Sequence, residues 1–209
     1  MIFEGLSVGP MDNNCYIIGC EETREAAVID PGAEGGRILR KLEDLKLKCS
    51  CVILTHGHAD HMGALGQVLE ATGAQVMIHG EDAEMLTSPG RNLSMFTGMN
   101  LKFKAADRLL KDGDAVTVGK VELKILHTPG HTQGGISISA GDKLITGDTL
   151  FAGSVGRSDF PGGNHDQMIK AIKEKLMVFP PETPVYPGHG PASTVGEEGR
   201  HNPFLNGKW

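Results

Sequence analysis

The chain has 209 residues, a net charge of −6, 39% apolar residues and only 5% aromatic ones. That length suits one domain with an aliphatic core that needs no disulfides. The acidic balance, with no basic run, excludes a conventional nucleic-acid surface, and no apolar run approaches a membrane span.

The opening MIFEGLSVGPMDNN has neither the basic start nor the apolar core of a signal peptide, so a cytoplasmic protein is expected. Cys15, Cys20, Cys49 and Cys51 then read as reduced thiols. Short strands are expected at Ile2–Val8, Cys15–Gly19 and Ala26–Asp30, each stopped by Gly, Pro or Asp. A helix follows over Glu34–Leu47, where Ile38, Leu39, Leu42 and Leu45 recur at helical spacing. The strand Cys51–Leu54 comes next. Leu65, Val68 and Leu69 then mark a second helix, stopped at Gly73, and Val76–Ile78 is another strand.

Residues 87–106 lack periodicity and read as a long loop of the kind that forms lids; Met95, Phe96 and Met99 either line a pocket or cover core. Strands return at Ala115–Val118, Val121–Leu126, Ile136–Ser139 and Lys143–Thr146. Asn164 can cap a third helix, with Gln167 three residues on and Met168, Ile169, Ile172 and Leu176 as its apolar stripe. Phe204, Leu205 and Trp209 either fold back on the domain or meet a partner.

Two segments, CVILTHGHADH and ELKILHTPGHT, each carry an apolar strand into a histidine-bearing loop. Two such halves packed sheet to sheet would bring both loops to one edge. The first loop concentrates His56, His58, Asp60 and His61 within six positions, flanked by Gly57 and Gly63, which permit close backbone approach. Imidazole and carboxylate are the ligands of a borderline divalent cation such as Zn²⁺, and closely spaced donors cost little entropy to gather. Four donors do not fill two sites. His131 in LHTPGHTQGG, Asp148 in KLITGDTLF and His189 in PVYPGHGP are further candidates, each in a Gly- or Pro-punctuated loop after an apolar strand. His79, His127, His165 and His201 are read as surface or core residues. Cys49 and Cys51 could assist a metal, but read more simply as small residues near a strand start.

Thr55–His61 resembles the HxHxDH signature of the metallo-β-lactamase superfamily, and His131, Asp148 and His189 fall in the order of that family's remaining ligands. VIDPG at Val28–Gly32 resembles the family's turn beneath the site. The resemblance implies a single α/β domain over residues 1–209, a four-layer αββα sandwich with the site at one edge of its sheets. It implies two divalent metal ions, Zn first, with Fe or Mn also suited to these ligands. His56, His58 and His131 would hold one, Asp60, His61 and His189 the other, and Asp148 would bridge; Asp60 is also assigned a catalytic role. The implied reaction is hydrolysis of an acyl bond by a metal-bridging hydroxide, which needs no Ser or Cys nucleophile.

Lactamases of this superfamily often carry Cys where Asp148 stands and are exported, so that activity is not expected. The pattern HTPGHT…GD…PGHGP is more similar to the glyoxalase II branch, and GSVGRSDFPGGNH and EEGRHNPFL resemble its short YcbL-like subgroup. A small-molecule thioester such as S-lactoylglutathione is then the expected substrate, with no nucleic-acid or membrane partner. Only 20 residues follow His189, so no C-terminal helical glutathione-binding domain is expected, and glutathione contacts do not carry over. Arg157 is a candidate for a substrate carboxylate, with pairing to Asp159 as its competing role. Tyr186 either stabilises an oxyanion or packs. The alternative is a mononuclear iron oxidoreductase resembling persulfide dioxygenases, which share the cluster and a segment like Gly156–Phe160.

Overall fold

Apolar runs without polar alternation need cover on both faces, and the computed structural model, which describes residues 1–207, supplies it. Trp209 lies outside the described residues. The first sheet has six strands in sequence order: β1 (Ile2–Val8), β2 (Asn13–Gly19), β3 (Glu25–Ile29), β4 (Lys48–Ile53), β5 (Gln75–His79) and β6 (Arg108–Leu110). β1 to β3 run antiparallel, and β3 to β6 parallel. Parallel neighbours need crossovers, and α1 (Gly35–Asp44) and α2 (Leu65–Thr72) supply two of them. The helix expected from Glu34 begins one residue later, because Glu34 sits in the left-handed region as its cap. α2 stops at Gly73 as expected.

The second sheet is built from β7 (Ala115–Val118), β8 (Val121–His127), β9 (Ile136–Ala140) and β10 (Lys143–Gly147), joined later by two more strands. A small hairpin follows, β11 (Leu150–Phe151) with β12 (Ser154–Val155). Then comes α3 (His165–Ala171), which continues as a π-helical turn to Leu176. Asn164 caps α3 by accepting from the Gln167 N–H at 3.0 Å. β13 (Pro184–Pro187) and β14 (Ser193–Thr194) complete the sheet, in spatial order β14-β13-β10-β9-β8-β7, and α4 (Val195–His201) and α5 (Pro203–Asn206) close the described chain. Leu205 is buried and Phe204 lies against the same cluster, so this tail folds back on the domain.

Alternate residues of one strand serve different cores. On β3, Ala26 and Val28 face α1 and α2, while Ala27 and Ile29 face the second sheet. A third cluster sets Leu144 and Val185 of the second sheet against Met168, Ile172 and Leu176. The layers therefore run helix, sheet, sheet, helix, the expected αββα sandwich. A register shift in the β3–β4 pairing, between Cys49 and Cys51, sends those two cysteines into different cores. All four cysteines are free and buried, and none joins the histidine cluster. Tyr186 packs on Phe3 and Tyr16, ring centroids 4.5 and 5.9 Å away. Among the described residues no helix is long and apolar enough to cross a membrane.

Ile138 is fully buried between the sheets. Ile138→Ala should lower the unfolding free energy by about 3 kcal/mol in chemical denaturation; a loss below about 1 kcal/mol would contradict the sheet-on-sheet core.

Candidate metal centre

Four strands end at the same edge, and each releases a donor into the loop beyond. His56 and His58 follow β4, with Asp60 and His61 on the 3-10 turn Ala59–His61; His131 follows β8, Asp148 follows β10 and His189 follows β13. All seven expected donors converge. Ligand atoms of His56, His58 and His131 lie within 4.8 Å of one another, as do those of Asp60, His61 and His189, while His56, His61 and Asp148 form a third such group. Asp148 is central: its Oδ1 is 3.3 Å from His61 Nε2, and its Oδ2 is 3.7 Å from both His131 Nε2 and His189 Nε2.

The ring nitrogens facing away from the cluster are held by the protein, which fixes how each imidazole points. His61 Nδ1 donates to Asp30 Oδ2 at 2.9 Å, and Asp30 also accepts from the Thr55 hydroxyl at 2.5 Å and the Thr55 N–H at 2.7 Å. His131 Nδ1 donates to the Arg157 carbonyl at 2.7 Å, and His189 Nδ1 to the Met11 carbonyl at 3.0 Å. Close backbone approach matters where expected: a Cβ on Gly57 would sit 2.4 Å from Met85 Cβ, and one on Gly63 2.3 Å from the Gly32 carbonyl.

The inward atoms are a different matter. His56 Nε2, His61 Nε2 and Asp148 Oδ1 are buried without any hydrogen-bond partner. Buried polar atoms are normally satisfied, so this donor set suits divalent cations. Burial, with repulsion from His61, holds His56 neutral. Burial and His131 drive His58 down to about 3. Burial would lower His61 too, but Asp148, Asp30 and Asp60 outweigh it and raise it. Burial opposes the charge on Asp148, yet His61 and His131 hold its carboxyl below the usual range.

Sequence reasoning missed Asp82. This buried carboxylate accepts from the Gly57 N–H at 3.1 Å, the Thr132 hydroxyl at 2.7 Å and the Gly134 N–H at 2.7 Å. It thereby ties the His56–His58 loop of the first sheet to the His131 loop of the second. Burial pushes its pKa up against those three donors. Nothing in the string GEDAEML distinguishes it from its exposed acidic neighbours; only the fold does. His79, His127, His165 and His201 fall outside the cluster, as expected. His79 and His127 stack on each other at 4.0 Å, and His201 bonds Glu197.

A cavity of about 1,020 Å³ opens over Asp60, Asp148 and His189, bounded on one side by the 90–99 loop and on the other by the segment 151–161. Residues 87–106 hold no helix or strand, and Asn92 and Ser94 stitch them together. Phe96 and Met99 line the cavity, while Met95 is exposed away from it. Arg157 is also on the wall, but its fork donates to Asp159 at 2.8 and 2.7 Å, the competing role foreseen for it.

The family model for the metallo-beta-lactamase superfamily matches residues 8–189. The chain belongs to that superfamily. The hydroxyacylglutathione hydrolase GloC of Haemophilus influenzae is 36% identical over the full length of both chains. The crystal structure of BLEG-1, described as a B3 metallo-beta-lactamase, superposes with a TM-score of 0.92 at 34% identity, over 98% of this chain and 99% of its own. ETHE1 from Myxococcus xanthus superposes with a TM-score of 0.85 at 35% identity, over 99% and 85% respectively.

Asp82→Asn would turn an amide N–H toward a backbone N–H. It should cost about 2 kcal/mol of stability in chemical denaturation and weaken metal uptake in titration. No change in either would show that Asp82 does not hold the two loops together.

Proposed function

We propose that this superfamily member is a two-metal hydrolase of acyl thioesters, S-lactoylglutathione or a similar compound. The observation that carries the reading is the convergence of seven donors: His58, Asp60, His131, Asp148 and His189 line one cavity, and His56 and His61 are buried in the same cluster, with three donor atoms left unpartnered. In it, His56, His58 and His131 would hold one divalent cation and Asp60, His61 and His189 the other, with Asp148 placed to serve as a ligand to either. Bound there, the cations would lower the pKa of water and polarise the acyl carbonyl.

The chain's own groups do the rest. Asp30 fixes the His61 ring through Nδ1, and the Arg157 and Met11 carbonyls do the same for His131 and His189. Asp60 Oδ2 lies 3.1 Å from His189 Nε2, which sets these two donors side by side. Phe160 lies edge-on to His58 at 5.8 Å and Phe151 to His189 at 6.4 Å, which sets apolar rings on that rim of the centre. The 36% identity to GloC supports a thioester substrate. Zinc is the first choice of metal, with iron or manganese compatible with the same donors.

A second reading, a mononuclear iron oxidoreductase resembling persulfide dioxygenases, is favoured by one feature: Gly156–Phe160, the segment shared with that group, brings Arg157 and Phe160 onto the cavity wall. Metal analysis with oxygen uptake separates the two. Thioester hydrolysis with two metals per chain is expected; oxygen consumption on glutathione persulfide with one iron would support the second reading. Asp148→Ala should lower metal content and thioesterase rate together by orders of magnitude, and a rate that barely moves would remove the shared ligand from the mechanism.

A further inference from the structure

The cavity wall is mismatched to a charged substrate arm. It presents Met11, Phe96, Met99, Phe151 and Phe160, and beyond the centre's own groups Arg157 is the one charged side chain on it among the described residues. That charge is spent twice. The guanidinium forks onto Asp159 at 2.8 and 2.7 Å and lies over the Phe160 ring, 3.8 Å from its centroid. Among the described residues no lysine lines the cavity. A glutathione arm carries two carboxylates and one ammonium, and a carboxylate buried without a partner is strongly disfavoured. The common thiol carriers are all polar or charged, so the carrier arm belongs in solvent and the apolar space belongs to the acyl arm.

We propose that the cavity is an acyl-chain site, and that this protein selects thioesters by the length of an apolar acyl group and not by the glutathione moiety. This rests on the thioesterase reading and narrows its substrate from S-lactoylglutathione to thioesters with longer, apolar acyl groups. One wall is held firmly: Glu198 accepts from the Gly153 N–H at 2.9 Å and from Asn202 at 2.7 Å, which fixes the β11–β12 hairpin carrying Phe151 against the tail helices. The opposite wall is the 90–99 loop, where Met99 and Phe96 are 49% and 76% exposed. An acyl chain lying between them would take that apolar surface out of water, a driving force proportional to the area removed.

The test uses neutral N-acetylcysteamine thioesters with acetyl, butyryl and hexanoyl groups on the metal-loaded protein. A fully buried methylene is worth roughly 0.8 kcal/mol, about fourfold, so kcat/KM should rise about two- to fourfold per methylene, through KM. S-Hexanoylglutathione should be no better than the hexanoyl N-acetylcysteamine ester. Phe96→Ala should lower kcat/KM for the hexanoyl ester several-fold more than for the acetyl ester. Binding gives an independent readout: calorimetric titration of the metal-loaded protein with the non-hydrolysable ketone isosteres, CH₂ replacing S, should follow the same order of chain length. A flat or falling series, or a large gain from the glutathione arm, overturns the acyl-chain site and leaves the thioesterase reading standing. No turnover of any thioester overturns both.

Discussion

Three polar atoms sealed in the protein without a well-formed hydrogen bond, His56 Nε2, His61 Nε2 and Asp148 Oδ1, are the constraint around which the rest of the molecule is arranged. Leaving such atoms unpaired costs free energy, and the fold does not relieve it by turning the rings. Asp30 holds His61 from behind, and backbone carbonyls hold His131 and His189. Asp82 reinforces this from the side, fastening a loop of one sheet to a loop of the other. The stability given up at the centre is offset by three aliphatic clusters that bury both faces of the first sheet and the helix face of the second.

The sandwich explains why the donors come from such distant parts of the chain. Strand ends of both sheets meet at one edge, and near that edge the sheets are sewn together directly: Asn14 N–H donates to the Gly188 carbonyl at 2.7 Å, and Tyr16 Oη to the Pro187 carbonyl at 2.7 Å. The start of β2 is thus pinned to the loop that carries His189. The same edge opens into the cavity, so the rigid part of the fold supplies the floor and the irregular 90–99 segment supplies one side.

How much of this could be read from the sequence depends on how local each signal was. His56, His58, Asp60 and His61 crowd one loop, so their grouping needed no tertiary knowledge. His131, Asp148 and His189 were visible through a repeated local setting, an apolar strand ending in Gly or Pro. The αββα layering was implied by the resemblance that Thr55–His61, His131, Asp148 and His189 carry to the metallo-β-lactamase superfamily, and not by strand patterning. Asp82 was illegible because its partners lie 25 to 52 residues away and its own neighbours are ordinary solvated acids. The separation of Cys49 from Cys51 was illegible as well: residues two apart on a regular strand share a face, and only the shifted pairing with β3 breaks that rule. Met95, Phe96 and Met99 shared one composition yet diverged, because loop 87–106 is shaped by Asn92 and Ser94 and not by periodicity.

The most direct measurement of the central claim is anomalous X-ray scattering from crystals of the metal-loaded protein, with data on both sides of the absorption edge. Two peaks per chain are predicted, one among His56, His58 and His131 and one among Asp60, His61 and His189, with the Asp148 carboxylate between them. A single peak, or metal lying away from these side chains, would contradict the account.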